Sequence, residues 1–377
     1  MEGRTAPVRQ GSLRAHNLAL ALREINLRPS RSRADVAAAT GLTRATVSAL
    51  VDDLIGARLI DEVDPAPRVG AGRPAAGLVV SPRGPAGLGL EVNVDYLAAC
   101  VMDLTGAVRH QEVRYGDQRA VTPEKALTEL AGLAAGARDV ASAAGLTLAG
   151  AALAVPGLVT PSGVVRRAPN LGWRDVDVPA VLGEPVGVDN EANLAALGEL
   201  RATPGLDSFV YVSGEIGIGA GIVLHGDLFR GARGWSGELG HVCVRPDGPR
   251  CRCGARGCLE QYAGQEALLR TAGVTDVAAL PGAPVLPEAG RALGVALAGV
   301  VNLLDVDTVV LGGIYAPLSP WLVPAVEAEI ADRVLTAEWS PVRVRASALG
   351  SSAAVQGAAG AVLRTVLDHP ARWLSGG

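Results

Sequence analysis

Three cysteines stand close together in Cys251-Arg252-Cys253-Gly254-Ala255-Arg256-Gly257-Cys258, and His241 lies ten residues before the first of them. Three thiolates and one imidazole make a closed tetrahedral set, the kind zinc takes in a structural role, with no position left for a reactive water. Gly254 and Gly257 allow so short a loop to fold its sulfurs around one ion. The plainer alternative is three free thiols packed as small hydrophobes, but the cluster lies amid Arg and Gly, not Leu and Val. Cys100 and Cys243 sit in apolar, strand-like sequence and are expected in the core. An odd count of five cysteines, the clustering and the lack of a secretory signal favour a reduced, cytoplasmic protein over a disulfide framework. Glu238 and Glu260 flank the same segment. Carboxylates and imidazole accept bonds from hydroxyls, so Glu238, His241 and Glu260 on a metal-held loop suit a polyhydroxylated ligand. Solvated surface acids are the bland alternative.

A second chemistry is written at the other end. Ser32-Arg33-Ala34-Asp35 has the form of a capping box opening a helix that stops at Thr40-Gly41. Thr43 can cap the next helix, whose apolar positions Val47, Leu50, Val51, Leu54 and Ile55 recur at three and four. Two short helices joined by a Gly turn form the helix-turn-helix pattern. Arg44, Thr46 and Ser48 near the start of the second helix are small or hydrogen-bonding groups that suit a major groove. Leu59–Val63 and Gly77–Val80 read as two strands around a Pro- and Gly-rich loop carrying Arg68 and Arg73. A basic loop so placed is a wing, and an Arg held extended by the following Pro74 suits the minor groove. The expected DNA-facing set is Ser32, Arg33, Thr43, Arg44, Thr46, Ser48, Arg68 and Arg73. A small helical domain that binds protein, or nothing, is the alternative.

The elements that must hold these groups follow from pattern and composition. The chain has 377 residues, 49% hydrophobic and 19% charged, which excludes a disordered chain. Residues 1–83 carry 12 Arg against 8 acids, while the rest is acidic, so nucleic acid is expected at one end only. The longest apolar run, near Ala292–Leu304, is short for a membrane span, and no membrane partner is expected. From Gly87 onward strands and helices alternate in two blocks, which predicts two α/β lobes with a cleft between them.

The chain resembles the ROK family of repressors, open reading frames and kinases. The resemblance runs from about residue 15 to 365. It is carried chiefly by Gly231-Ala232-Arg233-Gly234-Trp235-Ser236-Gly237-Glu238-Leu239-Gly240-His241 and the cysteine stretch, and secondarily by Pro156-Gly157-Leu158-Val159, Pro169-Asn170-Leu171, Asp189-Asn190-Glu191-Ala192-Asn193 and Leu311-Gly312-Gly313. It implies an α/β fold: a winged helix-turn-helix over 1–83, then a two-lobed actin-like, ribonuclease-H-like sugar kinase fold. The lobes would be 84–190 and 191–377, with the C-terminal helix packing back on the first. It implies structural Zn2+ on His241, Cys251, Cys253 and Cys258, and sugar contacts from Asn170, Asn190, Glu191, Glu238, His241 and Glu260. It also implies operator DNA, expected as an inverted repeat, a small sugar effector, and a homodimer or higher homo-oligomer.

Against the kinases of that family the sequence departs at three places. Where they carry an Asp-x-Gly-Gly-Thr phosphate loop, this chain has Glu91-Val92-Asn93-Val94-Asp95, and where they carry Gly-Thr-Gly-Ile-Gly it has Glu215-Ile216-Gly217-Ile218-Gly219. Glu191 replaces the catalytic Asp, and its extra methylene displaces a carboxylate in a reaction where about 1 Å can cost about 100-fold in rate. No catalytic residue is therefore assigned. The expected function is a sugar-responsive transcriptional regulator, a repressor, with an ATP-dependent sugar kinase of that family as the alternative.

Overall fold

The computed structural model describes residues 10–64 and 76–374. The chain opens with α1 (Gln10–Leu27), α2 (Arg33–Thr40) and α3 (Arg44–Gly56), followed by the antiparallel strands β1 (Ile60–Val63) and β2 (Gly77–Val80). The capping box forms: Ser32 Oγ accepts from the Asp35 amide, and the Asp35 carboxylate accepts from the Ser32 amide. Gly41, at φ 73°, ends α2 in the left-handed conformation that glycine takes without strain. Leu18, Leu22 and Ile25 of α1 and Val47, Leu50, Val51 and Leu54 of α3 are buried against one another.

Next come β3 (Pro85–Val92), β4 (Tyr96–Asp103) and β5 (Val108–Tyr115), α4 (Pro123–Ala143), β6 (Thr147–Val155), a small sheet of β7 (Leu158–Val159), β8 (Val164–Ala168) and β9 (Trp173–Asp177), then α5 (Val178–Leu182), β10 (Gly187–Asn190) and α6 (Glu191–Ala202). The remaining elements are β11 (Phe209–Gly214), β12 (Ile218–Leu224), β13 (Asp227–Leu228), α7 (Glu260–Ala263), α8 (Gln265–Ala272), α9 (Leu286–Leu304), β14 (Thr308–Gly313), α10 (Tyr315–Arg333), β15 (Arg343–Ala346), α11 (Ala353–Asp368) and α12 (Pro370–Leu374).

Two five-stranded sheets result, ordered β10-β6-β3-β4-β5 and β13-β12-β11-β14-β15. Their topology is the same. Each starts with an antiparallel meander, and two further strands are added in parallel beside its first strand. Central strands such as β3, β11 and β14 are buried along their whole length, as strands covered on both faces must be.

Helix α11 lies directly on β3. Gly87 and Gly89 permit this, because a Cβ at either would collide with the carbonyls of Ala359 and Val355. The same helix gives Ala359, Leu363 and Val366 to the hydrophobic cluster that holds α1 and α3 together. Trp373 of α12 donates from Nε1 to the Ala57 carbonyl at 3.1 Å, and Arg23 of α1 pairs with Asp368 at 3.2 Å. The three-helix module is thus packed into the body rather than tethered to it. No helix among the described residues is long and apolar enough to cross a membrane.

Candidate functional site

A cavity of about 340 Å³ lies between the two sheets, at the ends of β3, β6, β10 and β12. It is lined by all of Asn170, Asn190, Glu191, Glu238, His241 and Glu260. Asn190 stands at the point where β10 turns into α6 and caps that helix, its Oδ1 accepting from the amides of Ala192 (2.9 Å) and Asn193 (3.3 Å). Its Nδ2 donates to the Gly157 carbonyl at 3.1 Å and to Glu191 Oε2 at 2.9 Å. Asn190 therefore spends its amide on fixing the Pro156-Gly157 turn and orienting Glu191. Asn170 and Glu260 approach each other over Gly217: a Cβ there would lie 2.9 Å from Glu260 Oε2 and 3.3 Å from Asn170 Nδ2. That glycine keeps a gap between groups from the two lobes.

The acids of the cleft are driven toward their neutral forms. Burial pushes Glu191 up to about 8, and the charges of Glu238, Glu91 and Asp189 add to the shift. Glu238 and Glu260 are raised by burial too, with His241 opposing the rise in both. A carboxyl in this state can donate as well as accept, which suits a ligand whose hydroxyls do both.

Charged and amide residues that line the cavity outside the expected sugar set are Asn93, Arg167, Glu215 and Arg252. Arg252 lies inside the cysteine loop and pairs with Glu266 at 2.8 Å. Arg167 forms no ion pair among the described residues. A lone Arg on a strand carries no sequence signal that would have marked it. Arg252, sitting between two metal-ligand cysteines, could have been found from position alone.

His241, Cys251, Cys253 and Cys258 come together with their ligand atoms all within 4.8 Å of one another, the arrangement of a metal centre. Cys253 and Cys258 sulfurs are 3.7 Å apart, and His241 Nδ1 is 3.8 Å from Cys251 Sγ. A tetrahedron of about 2.3 Å metal–sulfur bonds has sulfur–sulfur edges of about 3.8 Å. Gly257 makes the loop possible: at φ 66° it lies against the Arg245 carbonyl, where a Cβ would collide. Burial and the neighbouring thiols push the Cys258 thiol up to about 12, while the Ala255 backbone amide draws Cys253 down. Cys100 is buried, as its apolar strand implies, but Cys243 is exposed, which corrects its expected place in the core. It follows the short 3-10 turn at Leu239–His241 and pairs through its backbone with the buried Cys258 in an isolated β-bridge, so the residues beside it do not form a buried strand.

On the amino-terminal module, Thr43 caps α3 by accepting from the Thr46 amide at 3.2 Å, and the two hydroxyls lie 2.8 Å apart. Arg44 is exposed at the first turn and makes no ion pair among the described residues. Ser48 is half buried on the same helix. Ser32 is engaged in its capping box. Arg33 is engaged within the module: its guanidinium lies 2.7 Å from Asp52 and 2.9 Å from Glu62 and donates to the Ser48 carbonyl at 3.3 Å. It staples α2 to α3 and β1, so its charge is already matched within the protein. Arg68 and Arg73 lie outside the described residues.

Comparison with known proteins places this architecture. The model of the ROK family matches residues 87–365. The xylose repressor of Bacillus subtilis is 30% identical over 374 residues, covering 93% of this chain and 96% of that repressor. A crystallographic ROK family transcriptional regulator, a homologue of the E. coli MLC protein, superposes with a TM-score of 0.81 at 26% identity, over 97% of this chain and 100% of the other. A ROK family glucokinase from Streptomyces griseus, solved with glucose and AMPPNP, is 28% identical with a TM-score of 0.62, over 73% of this chain and 98% of its own. The enzyme thus matches the two-lobed body, whereas the repressor and the transcriptional regulator extend over the helical module as well. With a family match across most of its length and full-length kinship to a repressor, the chain belongs to the ROK family.

Proposed function

We propose that this chain is a sugar-responsive transcriptional repressor: residues 1–83 read operator DNA, and the lobes 84–190 and 191–377 bind a sugar between them. The observation that carries the reading is that six polar residues far apart in sequence line one cavity, in a chain whose helix-turn-helix shares a hydrophobic cluster with the helix that covers the first lobe. The full-length likeness to xylose repressors makes a neutral monosaccharide the effector class, with D-xylose the first to try. Glu191, Glu238 and Glu260 accept and donate to its hydroxyls, Asn170 donates, and Asn190 orients Glu191.

Zinc fits the metal centre, because soft thiolates with one imidazole at tetrahedral spacing are its preferred structural set. The ion would fix the loop that carries Glu238 and Glu260. With Nδ1 of His241 facing the sulfurs, Nε2 is left for the ligand.

Phosphoryl transfer is not part of the proposal. Asn93, Glu215 and Gly313, on the segments that would face phosphate, enclose a niche of only about 10 Å³, whereas ligand pockets run to about 300 Å³ and above. Part of the space is taken by aromatic rings. The Tyr315 ring lies against Gly214, and Tyr211 against Gly312. Sugar-dependent ADP release at an ordinary kinase rate, roughly 1–100 s⁻¹, would overturn this.

The test is operator affinity by fluorescence anisotropy, on duplexes that the purified protein selects from a random pool. The selected sites should be inverted repeats, matching a two-fold dimer. A saturating sugar should change affinity by roughly 5- to 150-fold. Arg44→Ala should weaken binding and lower the salt slope by about one unit. Equal affinity with and without a sugar known to bind would sink the regulatory reading.

A further inference from the structure

The chain has five cysteines, and the metal set uses three of them. Cys100 is buried in β4. Cys243 is left over. It is exposed, so packing does not call for a thiol there, and it is not among the four converging ligand groups.

Its position across the backbone singles it out. Cys243 and Cys258 face each other in an antiparallel β-bridge. Val244 donates its amide to the Gly257 carbonyl at 2.8 Å, and Leu259 donates to the Val242 carbonyl at 2.9 Å. These bonds join the residues on either side of the pair. The pair itself is therefore of the non-hydrogen-bonded kind, whose Cα atoms lie about 4.5 Å apart with side chains close together. A disulfide spans Cα separations of about 4.4–6.8 Å. The backbone need not move for these two residues to join, and rotation about χ1 of the exposed Cys243 brings sulfur to sulfur. One atom cannot serve both bonds, however. Cys258 Sγ either completes the set with His241, Cys251 and Cys253, all within 4.8 Å of one another, or it bonds to Cys243.

We infer that Cys243 and Cys258 form a reversible disulfide under a low-molecular-weight disulfide oxidant, and that this bond takes Cys258 away from the metal centre. Cys243 is the entry point because it is exposed, whereas Cys258 is shielded from an external oxidant by burial. The Cys243 sulfur gives up its proton and attacks one sulfur of the oxidant RSSR. A mixed disulfide forms, the RS–SR bond breaks, and RS⁻ leaves with the electron pair and takes up the proton as RSH. The Cys258 sulfur, a thiolate when it ligates a metal, then attacks Cys243 and expels the second RS⁻. Two protein sulfurs are oxidised, and RSSR is reduced to one thiol and one thiolate. Cys253 is exposed too, and its sulfur lies 3.7 Å from that of Cys258. As a metal ligand it is already engaged, while Cys243 is not.

The bond leaves His241, Cys251 and Cys253 one ligand short, on the loop that carries Glu238 and Glu260. Oxidation therefore weakens sugar binding. That consequence rests on the proposed function; the disulfide itself does not.

The sequence makes the pairing readable. Trypsin cuts after Arg233, Arg250, Arg252, Arg256 and Arg270 but not between Arg245 and Pro246, so the four cysteines fall on separate peptides, 234–250, 251–252, 253–256 and 257–270. The full chain as purified is treated with oxidised glutathione. Released zinc is read with a chromogenic chelator, and the non-reduced peptides are mapped by mass spectrometry. Peptide 234–250 should be linked to 257–270, zinc should be released in step with that link, and dithiothreitol with added zinc should reverse both. Cys243→Ser should keep its zinc when reduced, lose the link, and release zinc about tenfold more slowly or less under the oxidant.

A main product that joins 257–270 to 251–252 or 253–256 overturns the inference, as does equal zinc release from wild type and Cys243→Ser. In a chain purified without zinc, the mapped link alone decides. A second arm measures calorimetric affinity for a sugar already shown to bind. It should fall about tenfold or more in the oxidised wild type but not in treated Cys243→Ser, and unchanged affinity in the oxidised wild type overturns the regulatory consequence. Failure of every sugar to bind overturns the proposed function instead, while the zinc and peptide readouts still decide the disulfide.

Discussion

The floor of the cleft divides into two halves that have met opposite fates on one scaffold. The half toward the metal loop brings together Glu238, His241 and Glu260 beside four convergent metal ligands. The half toward the niche holds carboxyls where kinases of the family are expected to carry glycine, and aromatic rings lie against Gly214 and Gly312 nearby. Both halves are polar, but the metal half comes from one stretch, 238–260, whereas the niche half joins residues from 91, 191 and 215. The difference lies in what each leaves unsatisfied. The metal half presents acidic groups and an imidazole to the larger cavity, and the niche half sets buried carboxyls at the positions that correspond to phosphate loops in kinases of the family. Under the proposed function, one scaffold loses one substrate and keeps the other by changing a few side chains, because the two subsites are held by different loops.

Breaking the metal half should have the largest effect. Cys258→Ser removes a fully buried ligand. It should abolish stoichiometric zinc in elemental analysis, lower stability by about 3 kcal/mol or more, and eliminate sugar binding in calorimetry, because the loop that carries the acids loses its anchor. Retained sugar affinity without metal would show that the halves do not depend on the loop as described.

Next in size is Glu260→Ala. It removes one hydrogen bond from a carboxyl, worth about 1.5–3 kcal/mol when charged, or roughly 10- to 100-fold in sugar affinity. Sugar-free operator binding should stay within about twofold by anisotropy, since Glu260 lies far from α3 in the fold.

The niche half should show itself as a pH dependence. Glu91, Glu191 and Glu215 bind their protons more tightly in the folded chain than in the unfolded one. Between the ordinary carboxylate range and about pH 8 the folded state therefore carries the extra protons, and stability must fall as pH rises through that window. Tm measured from pH 5.5 to pH 8.5 at constant ionic strength should decline. Glu191→Gln should flatten part of the slope. A Tm that rises over this range would contradict the burial of these groups.

The smallest effect expected is none. The double reversal Glu191→Asp with Glu215→Gly restores two kinase-like residues, yet ADP release should stay at background. Asp95 remains, and Tyr211 and Tyr315 still occupy the space. Restored turnover would mean that the two halves differ by those two side chains alone.

How much of this was legible beforehand depended on range. The capping box, the Gly41 stop and the cysteine loop are local, within a few residues, and their physics is complete in the sequence. Two α/β blocks were visible because strand and helix periodicities differ. The Arg33 staple was not, since Asp52 and Glu62 become its neighbours only after α2, α3 and β1 pack. An exposed Arg beside a helix start looks the same whether it faces phosphate or a carboxylate across the module. Cys243 was misplaced for a related reason: apolar neighbours suggest a strand, but the metal loop claims the segment as surface turn. Asn190 was legible as part of a motif, whereas its division of labour between helix cap, Gly157 and Glu191 required coordinates.

The bond from Trp373 to Ala57 joins residues 316 positions apart, and α11 is the element on which both β3 and the α1–α3 cluster rest. During synthesis at roughly 5–20 residues per second, the helix-turn-helix emerges early and then waits for nearly the whole remaining chain before its packing surface exists. A nascent or prematurely ended product carries the reading head without its seat. The hydrophobic cluster beneath the helix-turn-helix is completed only with the body, so fragments that carry the helices without the lobes lack part of the core on which those helices rest.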